Sequence, residues 1–178
     1  AAEAGADALL LVSPYYNKPT QRGLIAHTRK VADTTDLPVM LYDIPGRTGI
    51  PYATSTLLEL AEHPNIRAVK DAKGDQWEAT KVMAETDLAF YCGSDEVNLP
   101  YLALGGAGVV SVVGHVAASH YAAMGQAVRS GDLALANAIH RALVPITEVV
   151  MRTSQGAIMA KAAMVELGII QNATVRLP

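Results

Sequence analysis

Short apolar runs and amphipathic stretches alternate along the chain as far as Val113. Ala8 to Val12 is continuously apolar and stops at Ser13-Pro14, as a strand buried on both faces would. Gln21 to Asp33 then carries Leu24, Ile25, Thr28 and Val31 at helical spacing, and Pro38 opens a second apolar run, Val39-Met40-Leu41-Tyr42. The same reading makes Thr54 to Glu62 a helix, Ile66 to Val69 a strand and Asp75 to Glu85 a helix. Leu88 to Tyr91 follows as a strand, Glu96 to Leu104 as a helix and Val109 to Val113 as a fifth strand. Strands that alternate with helices predict parallel pairing through right-handed crossovers, in an open doubly wound sheet or a barrel. Beyond the fifth strand only helical spacing remains, over Val116 to Ser130, Leu133 to Arg152 and Gly156 to Leu167, with Gly168 placed as a C-cap.

A complete parallel α/β barrel has eight strand–helix units in about 250 residues. Five units followed by helices fit strands four to eight of a (β/α)8 TIM barrel. The barrel part then spans residues 1–115, and a C-terminal helical extension spans 116–178. Ala1-Ala2-Glu3-Ala4-Gly5-Ala6-Asp7 fits the tail of a helix turning into a strand, so the sequence is expected to be part of a longer chain.

Composition narrows the function classes. Hydrophobic residues make up 51% and charged residues 17%, enough to bury a core. The net charge of −3 comes from 14 basic and 17 acidic groups, and the basic ones are scattered, so nucleic acid is not an expected partner. One cysteine, Cys92, excludes an internal disulfide and multi-cysteine zinc patterns, in keeping with a reducing compartment; the cytoplasm is expected. Val97 to Val128 lacks Lys, Arg, Asp and Glu and is long enough to cross a bilayer. Asn98, Pro100, Gly105, Gly106, Gly108, His115, Ser119 and His120 interrupt it, so it reads as core and no membrane association is expected.

In such a barrel the chemistry sits at the C-terminal ends of strands. Lys70 ends Ile66-Arg67-Ala68-Val69, and the period of two puts Ile66, Ala68 and Lys70 on one face, directing a lysine into the barrel. A neutral amine there can attack a keto carbon, and the resulting iminium is an electron sink. Lysine is ordinarily charged, so desolvation or a nearby cation has to favour the attacking form; Arg47 is a candidate cation. Lys73 is a rival nucleophile, but it precedes Gly74 in a loop where water is expected to hold it charged. Tyr42 lies 28 residues before Lys70 (70 − 42), one strand-plus-helix unit, so the two are expected to end adjacent strands roughly 5 Å apart. A phenol in that place can relay protons or simply cap the core. Arg47, between Gly46 and Gly49, can hold a carboxylate by two hydrogen bonds or be a solvated loop residue. Other groups carry less. Gly105-Gly106-Ala107-Gly108 precedes a strand and is no phosphate cradle. His115 and His120 have the wrong spacing for one helical metal face, so no metal is expected. Asp95 and Glu96 are expected to begin a helix, where its dipole favours negative charge.

Three motifs, Pro-Tyr-Tyr-Asn-Lys-Pro at 14–19, Tyr-Asp-Ile-Pro-Gly-Arg-Thr-Gly at 42–49 and Val-Lys-Asp-Ala-Lys-Gly at 69–74, resemble the pyruvate-dependent Schiff-base aldolase family, in its dihydrodipicolinate synthase branch. The resemblance covers essentially the whole chain. It implies that Lys70 forms an imine with pyruvate, that Tyr42 relays protons, and that Arg47 holds the carboxylate of aspartate semialdehyde. It further implies that Tyr16 joins a proton relay reaching the neighbouring subunit's site in a homotetramer built as a dimer of dimers, with Tyr15 beside it. Gly93 and Val110 would line the pyruvate pocket, and no cofactor beyond the covalent lysine imine is implied. The implied reaction condenses pyruvate with L-aspartate 4-semialdehyde to 4-hydroxy-tetrahydrodipicolinate, on the route to diaminopimelate and lysine. Sibling aldolases that cleave N-acetylneuraminate or 2-keto-3-deoxy sugar acids would keep Tyr42 and Lys70 without needing Arg47, and a non-catalytic keto-acid-binding protein would need neither. Three features depart from the family pattern. Asp43 stands where asparagine is frequent, Lys73 adds a second amine, and a Gly-Thr-Thr-Gly-Glu segment that supplies pyruvate contacts is absent, so this chain alone is expected to be inactive.

Overall fold

In the computed structural model, which describes residues 1–177, strands and helices alternate and then give way to helices alone. Strands β1 (Leu9–Val12), β2 (Val39–Asp43), β3 (Ile66–Asp71), β4 (Ala89–Cys92) and β5 (Gly108–Val109) follow the sheet order β1-β2-β3-β4-β5. Helices α1 (Gln21–Ala32), α2 (Pro45–Thr48), α3 (Thr54–Ala61), α4 (Gln76–Glu85) and α5 (Asn98–Ala103) fall between them, and α6 (Gly114–Arg129), α7 (Leu133–Arg152) and α8 (Gly156–Glu166) follow. The β1–β2 and β2–β3 pairs are parallel, as crossover helices require.

Two compact units divide the chain, Ala1–Tyr91 and the remainder from Cys92. Alternation of elements ends the strand–helix part at residue 115, whereas compactness draws its line inside β4. The reason is packing: Leu99 and Leu102 of α5 join one apolar cluster with Tyr121 and Met124 of α6 and Leu143 and Val150 of α7.

Within the first unit, helix starts and buried stripes follow from sequence. The Thr20 hydroxyl accepts from the Gly23 amide and Asp75 accepts from the Glu78 amide, capping α1 and α4. Helix α1 buries Leu24, Thr28 and Ala32, four residues apart on one stripe. Gln21 fastens α1 to the start of α3: its side-chain oxygen accepts from the Ala53 amide and the Thr56 hydroxyl, and its amide nitrogen donates to the Pro51 carbonyl.

In the second unit the uncharged run from Val97 to Val128 folds into α5, β5 and most of α6, with Val113 and Met124 fully buried. Helix α6 begins earlier than its periodicity implies and bends at Ala117, whose φ/ψ of −134°/27° is non-helical. Helix α7 is long and apolar enough to span a bilayer by length and composition. It nevertheless carries Asn137, His140, Arg141 and Glu148 and turns Ala136, Leu143 and Val150 into the cluster. Gly168 has φ +68° and donates its amide to the Val165 carbonyl, closing α8 as expected.

The fifth strand is a correction. Val109 to Val113 reads as a strand from its apolar run, yet only Gly108–Val109 pairs. The amides of Val112 and Val113 donate instead to the Asp95 carboxylate, at 2.9 and 3.1 Å, and the chain turns away from the sheet. Glu96 to Leu104 is likewise interrupted: a 3-10 turn, Asp95–Val97, precedes α5.

Candidate active site

Strands β2 and β3 bring the central pair together. Val39 pairs with Ile66 and Met40 with Ala68, an irregularity that absorbs Arg67; Tyr42 then pairs with Lys70 and Asp43 with Asp71. The pleat therefore places Met40, Tyr42, Ala68 and Lys70 on one face and Leu41, Asp43, Val69 and Asp71 on the other. Because β3 runs on through Asp71, the direction of Lys70 is set by a strand and not by a loop. Its Nζ lies 4.0 Å from the centroid of the Tyr42 ring. An ammonium over a phenol face is attractive by roughly 0.5 to 2 kcal/mol. Leu10 and Val12 of β1, paired with Met40 and Tyr42, continue this face and are 53% and 36% exposed.

The opposite face of the same strand ends is polar and buried. Asp43 is 1% exposed; one carboxylate oxygen accepts from the Tyr52 amide at 3.2 Å, and the other lies 3.9 Å from Lys73 Nζ. Burial pushes the Asp43 carboxyl up to about 6, against the lowering influence of the Lys73 ammonium and the Tyr52 amide, with Asp71 adding a further upward push. Lys73 also donates to the Tyr52 carbonyl at 3.4 Å, and its side chain is only 13% exposed. The Lys73 side chain is thus turned toward a buried carboxylate and a carbonyl and not into the water that its loop position suggests. The Tyr52 hydroxyl, paired with Thr28 at 3.2 Å, is itself raised by burial.

Arg47 and Tyr16 occupy the segments beyond the strands. Arg47 is exposed on α2, a single turn that sequence periodicity is too short to reveal. Thr48 anchors this turn, donating its buried hydroxyl to the Ile44 and Ile50 carbonyls. Gly49 ends it at φ +80°, where an added Cβ would also meet Lys18 Cε at 2.7 Å, so the second glycine of Gly-Arg-Thr-Gly is required by the backbone. Tyr16 has φ +72°, and the Asn17 amide donates to the Tyr15 carbonyl across it, a tight turn that is costly for a side-chain-bearing residue. Tyr15 and Tyr16 are 70% and 93% exposed.

Gly93 and Val110 belong to the second unit, where the Val110 amide donates to the Cys92 carbonyl at 2.8 Å. Between them in sequence, Asp95 is 4% exposed and does more than begin a helix. Its carboxylate accepts from the Ser111 hydroxyl, from the Asn98 side-chain amide at 3.1 Å and from the Val112 and Val113 amides. The segment after β5 that carries Val110 is thereby clamped. His115 is drawn into local structure, its Nδ1 2.9 Å from the Val112 carbonyl. Asp95 and Lys73 are the residues whose work sequence reasoning underestimated. An acidic residue three positions after a strand end was the available signal for the first.

The model of the Dihydrodipicolinate synthetase family matches residues 1–178. The chain belongs to this family. Among curated relatives, the 4-hydroxy-tetrahydrodipicolinate synthase of Kineococcus radiotolerans is 54% identical over 178 residues, covering 100% of this chain and 58% of the relative. That of Corynebacterium aurimucosum is 54% identical over 164 residues, covering 92% and 54%. The crystal structure of dihydrodipicolinate synthase from Aquifex aeolicus superposes with a TM-score of 0.93 at 34% identity, covering 99% of this chain and 61% of that one. The dihydrodipicolinate synthetase fold is the (β/α)8 barrel, of which this chain carries five strand–helix units. The chain spans little more than half the length of the curated relatives it matches.

Proposed function

We propose that the protein bearing this chain condenses pyruvate with L-aspartate 4-semialdehyde to give 4-hydroxy-tetrahydrodipicolinate, through an imine on Lys70. The observation that carries this reading is the Tyr42–Lys70 pair on adjacent strand ends, with Nζ 4.0 Å from the ring centroid, inside a family whose named relatives are 4-hydroxy-tetrahydrodipicolinate synthases. The neutral Lys70 amine attacks the keto carbon of pyruvate, the carbinolamine loses water, and the iminium loses a methyl proton to become an enamine. The enamine carbon then attacks the aldehyde of the second substrate, the new alkoxide takes up a proton, and the semialdehyde's own amino group adds to the iminium carbon and expels the Lys70 amine, which closes the ring and frees the lysine. Tyr42 serves as proton carrier in these steps, with Tyr16 as a further relay member reaching a neighbouring subunit's site. The iminium is the electron sink, so the reaction needs no cofactor or metal.

Arg47 binds the semialdehyde carboxylate; its exposure on a one-turn helix ended by Gly49 suits a group that meets an incoming substrate. Gly93 and Val110 line the pyruvate pocket. The exposed Leu10 and Val12, on the Tyr42–Lys70 face, suit a barrel interior that further strands would cover. The whole protein acts as a cytoplasmic homotetramer, a dimer of dimers, without nucleic acid or membrane partners. Full-length protein is expected to turn over pyruvate with aspartate semialdehyde. Turnover of N-acetylneuraminate or a 2-keto-3-deoxy sugar acid instead would overturn the substrate assignment while leaving Lys70 in its role.

A further inference from the structure

The buried polar group on the far side of the strands from Tyr42 and Lys70 has no part in the chemistry above, yet it touches every segment that leaves the two strands. Asp43 immediately follows Tyr42, and Asp71 immediately follows Lys70; the two pair in register. The Asp43 backbone carbonyl accepts from the Ala72 amide at 2.8 Å, and its side chain accepts from the Tyr52 amide at 3.2 Å. Lys73 Nζ approaches the other carboxylate oxygen at 3.9 Å and donates to the Tyr52 carbonyl at 3.4 Å. Asp71 holds the base of the same loop by accepting from the Lys73 amide at 2.8 Å. The segment after α2, which carries Tyr52, and the segment after β3, which carries Lys73, therefore meet twice, directly through the Lys73–Tyr52 hydrogen bond and through the Asp43 carboxylate that both approach.

We infer that the Asp43–Lys73 ion pair is a positioning device: it ties together the loops leaving β2 and β3 and thereby fixes how closely Tyr42 stands to Lys70. Neither residue touches substrate. The inference rests on the Schiff-base reading of Lys70. A strand end fastened on one face constrains the residue beside it on the other, since successive side chains share one backbone. The groups that face Asp43 are Lys73 from the loop after β3, the Tyr52 amide from the segment before α3, and Asp71 from β3; Thr28 of α1 reaches it only through the Tyr52 hydroxyl. The fastening is sensitive to pH. Burial brings the Asp43 carboxyl to about 6, and Lys73 is the stronger of the two influences that hold it down. Protonation discharges one half of the pair, and loss of the ammonium makes that protonation occur at higher pH.

The test is the pH dependence of pyruvate imine formation in the full-length protein, trapped with borohydride and counted at Lys70 by peptide mass mapping. Lys73→Met should move the acid limb of imine formation upward by about one pH unit or more, whereas Lys73→Arg should return it to the wild-type position. Asp43→Asn, which keeps an acceptor for the Tyr52 amide but carries no charge at any pH, should abolish the limb, holding imine formation near the wild type's low-pH level throughout, and remove the effect of a second Lys73→Met change. A merely structural role would lower the yield of folded protein and leave the limb in place. An unmoved limb in either Lys73→Met or Asp43→Asn overturns the inference, each variant serving should the other not fold. Wild-type protein that forms no adduct on Lys70 overturns the Schiff-base reading and this inference with it, an outcome distinct from trapped imine with an unmoved limb.

Discussion

Asp43 and Asp95 are both buried carboxylates, 1% and 4% exposed, close behind strand residues, one in each compact unit, and they are satisfied differently. Asp95 meets four donors: the Ser111 hydroxyl, the Asn98 amide and two successive backbone amides. Asp43 meets one amide, and its second oxygen has only an ammonium 3.9 Å away with no hydrogen bond. A carboxylate wrapped in donors is a rivet, because losing it orphans groups that cannot reach water. A carboxylate held by one amide and a distant cation is poised between two protonation states, because burial disfavours its charge and little opposes it.

The largest expected effect separates these two roles by deletion. In the full-length protein, Asp95→Ala leaves a hydroxyl, a carboxamide and two amides without their acceptor, and should cost about 3 kcal/mol or more in chemical denaturation. A loss no larger than that of an exposed aspartate would show that the segment after β5 is held by something else.

The next effect is a pH dependence. The folded carboxyl of Asp43 at about 6 lies above its ordinary value of 3.8, so the native state binds a proton that the unfolded chain has released. The sign follows: stability from this group is fully present below about pH 4 and is lost as pH rises through about 6, a swing of about 3 kcal/mol. Asp43→Asn should remove that swing, and identical pH–stability curves for wild type and variant would contradict it. Smaller again is the backbone term at Gly49. Gly49→Ala forces a side chain into the left-handed region and should cost about 1 to 2 kcal/mol, with the Arg47 turn displaced. Arg47→Ala should leave imine formation with pyruvate intact and weaken use of the semialdehyde. Equal loss of both would count against its assigned role.

The same contrast shows which features were legible from sequence. Lys70 and Tyr42 could be paired because parallel units repeat at a regular length and the pleat alternates, both local rules acting on adjacent strands. Motif residues around Arg47 were visible, but its one-turn helix was not, since four residues carry no period. The rivet at Asp95 joins residues 16 to 18 positions apart, and an apolar run such as Val109 to Val113 contains nothing to say that two of its amides will leave the sheet for a carboxylate. Lys73 was placed correctly in a loop but assigned to water, because burial of a loop side chain is decided by where Tyr52 and Asp43 lie in space. The left-handed backbone of Tyr16 carries no sequence signature, since tyrosine rarely adopts it.

Borohydride reduction of full-length protein in the presence of pyruvate, followed by peptide mass mapping, tests the central claim most directly. A reduced pyruvate adduct is expected on the peptide that carries Lys70 and none on Lys73, whose ammonium is paired. An unmodified Lys70, or an adduct on Lys73, would contradict it.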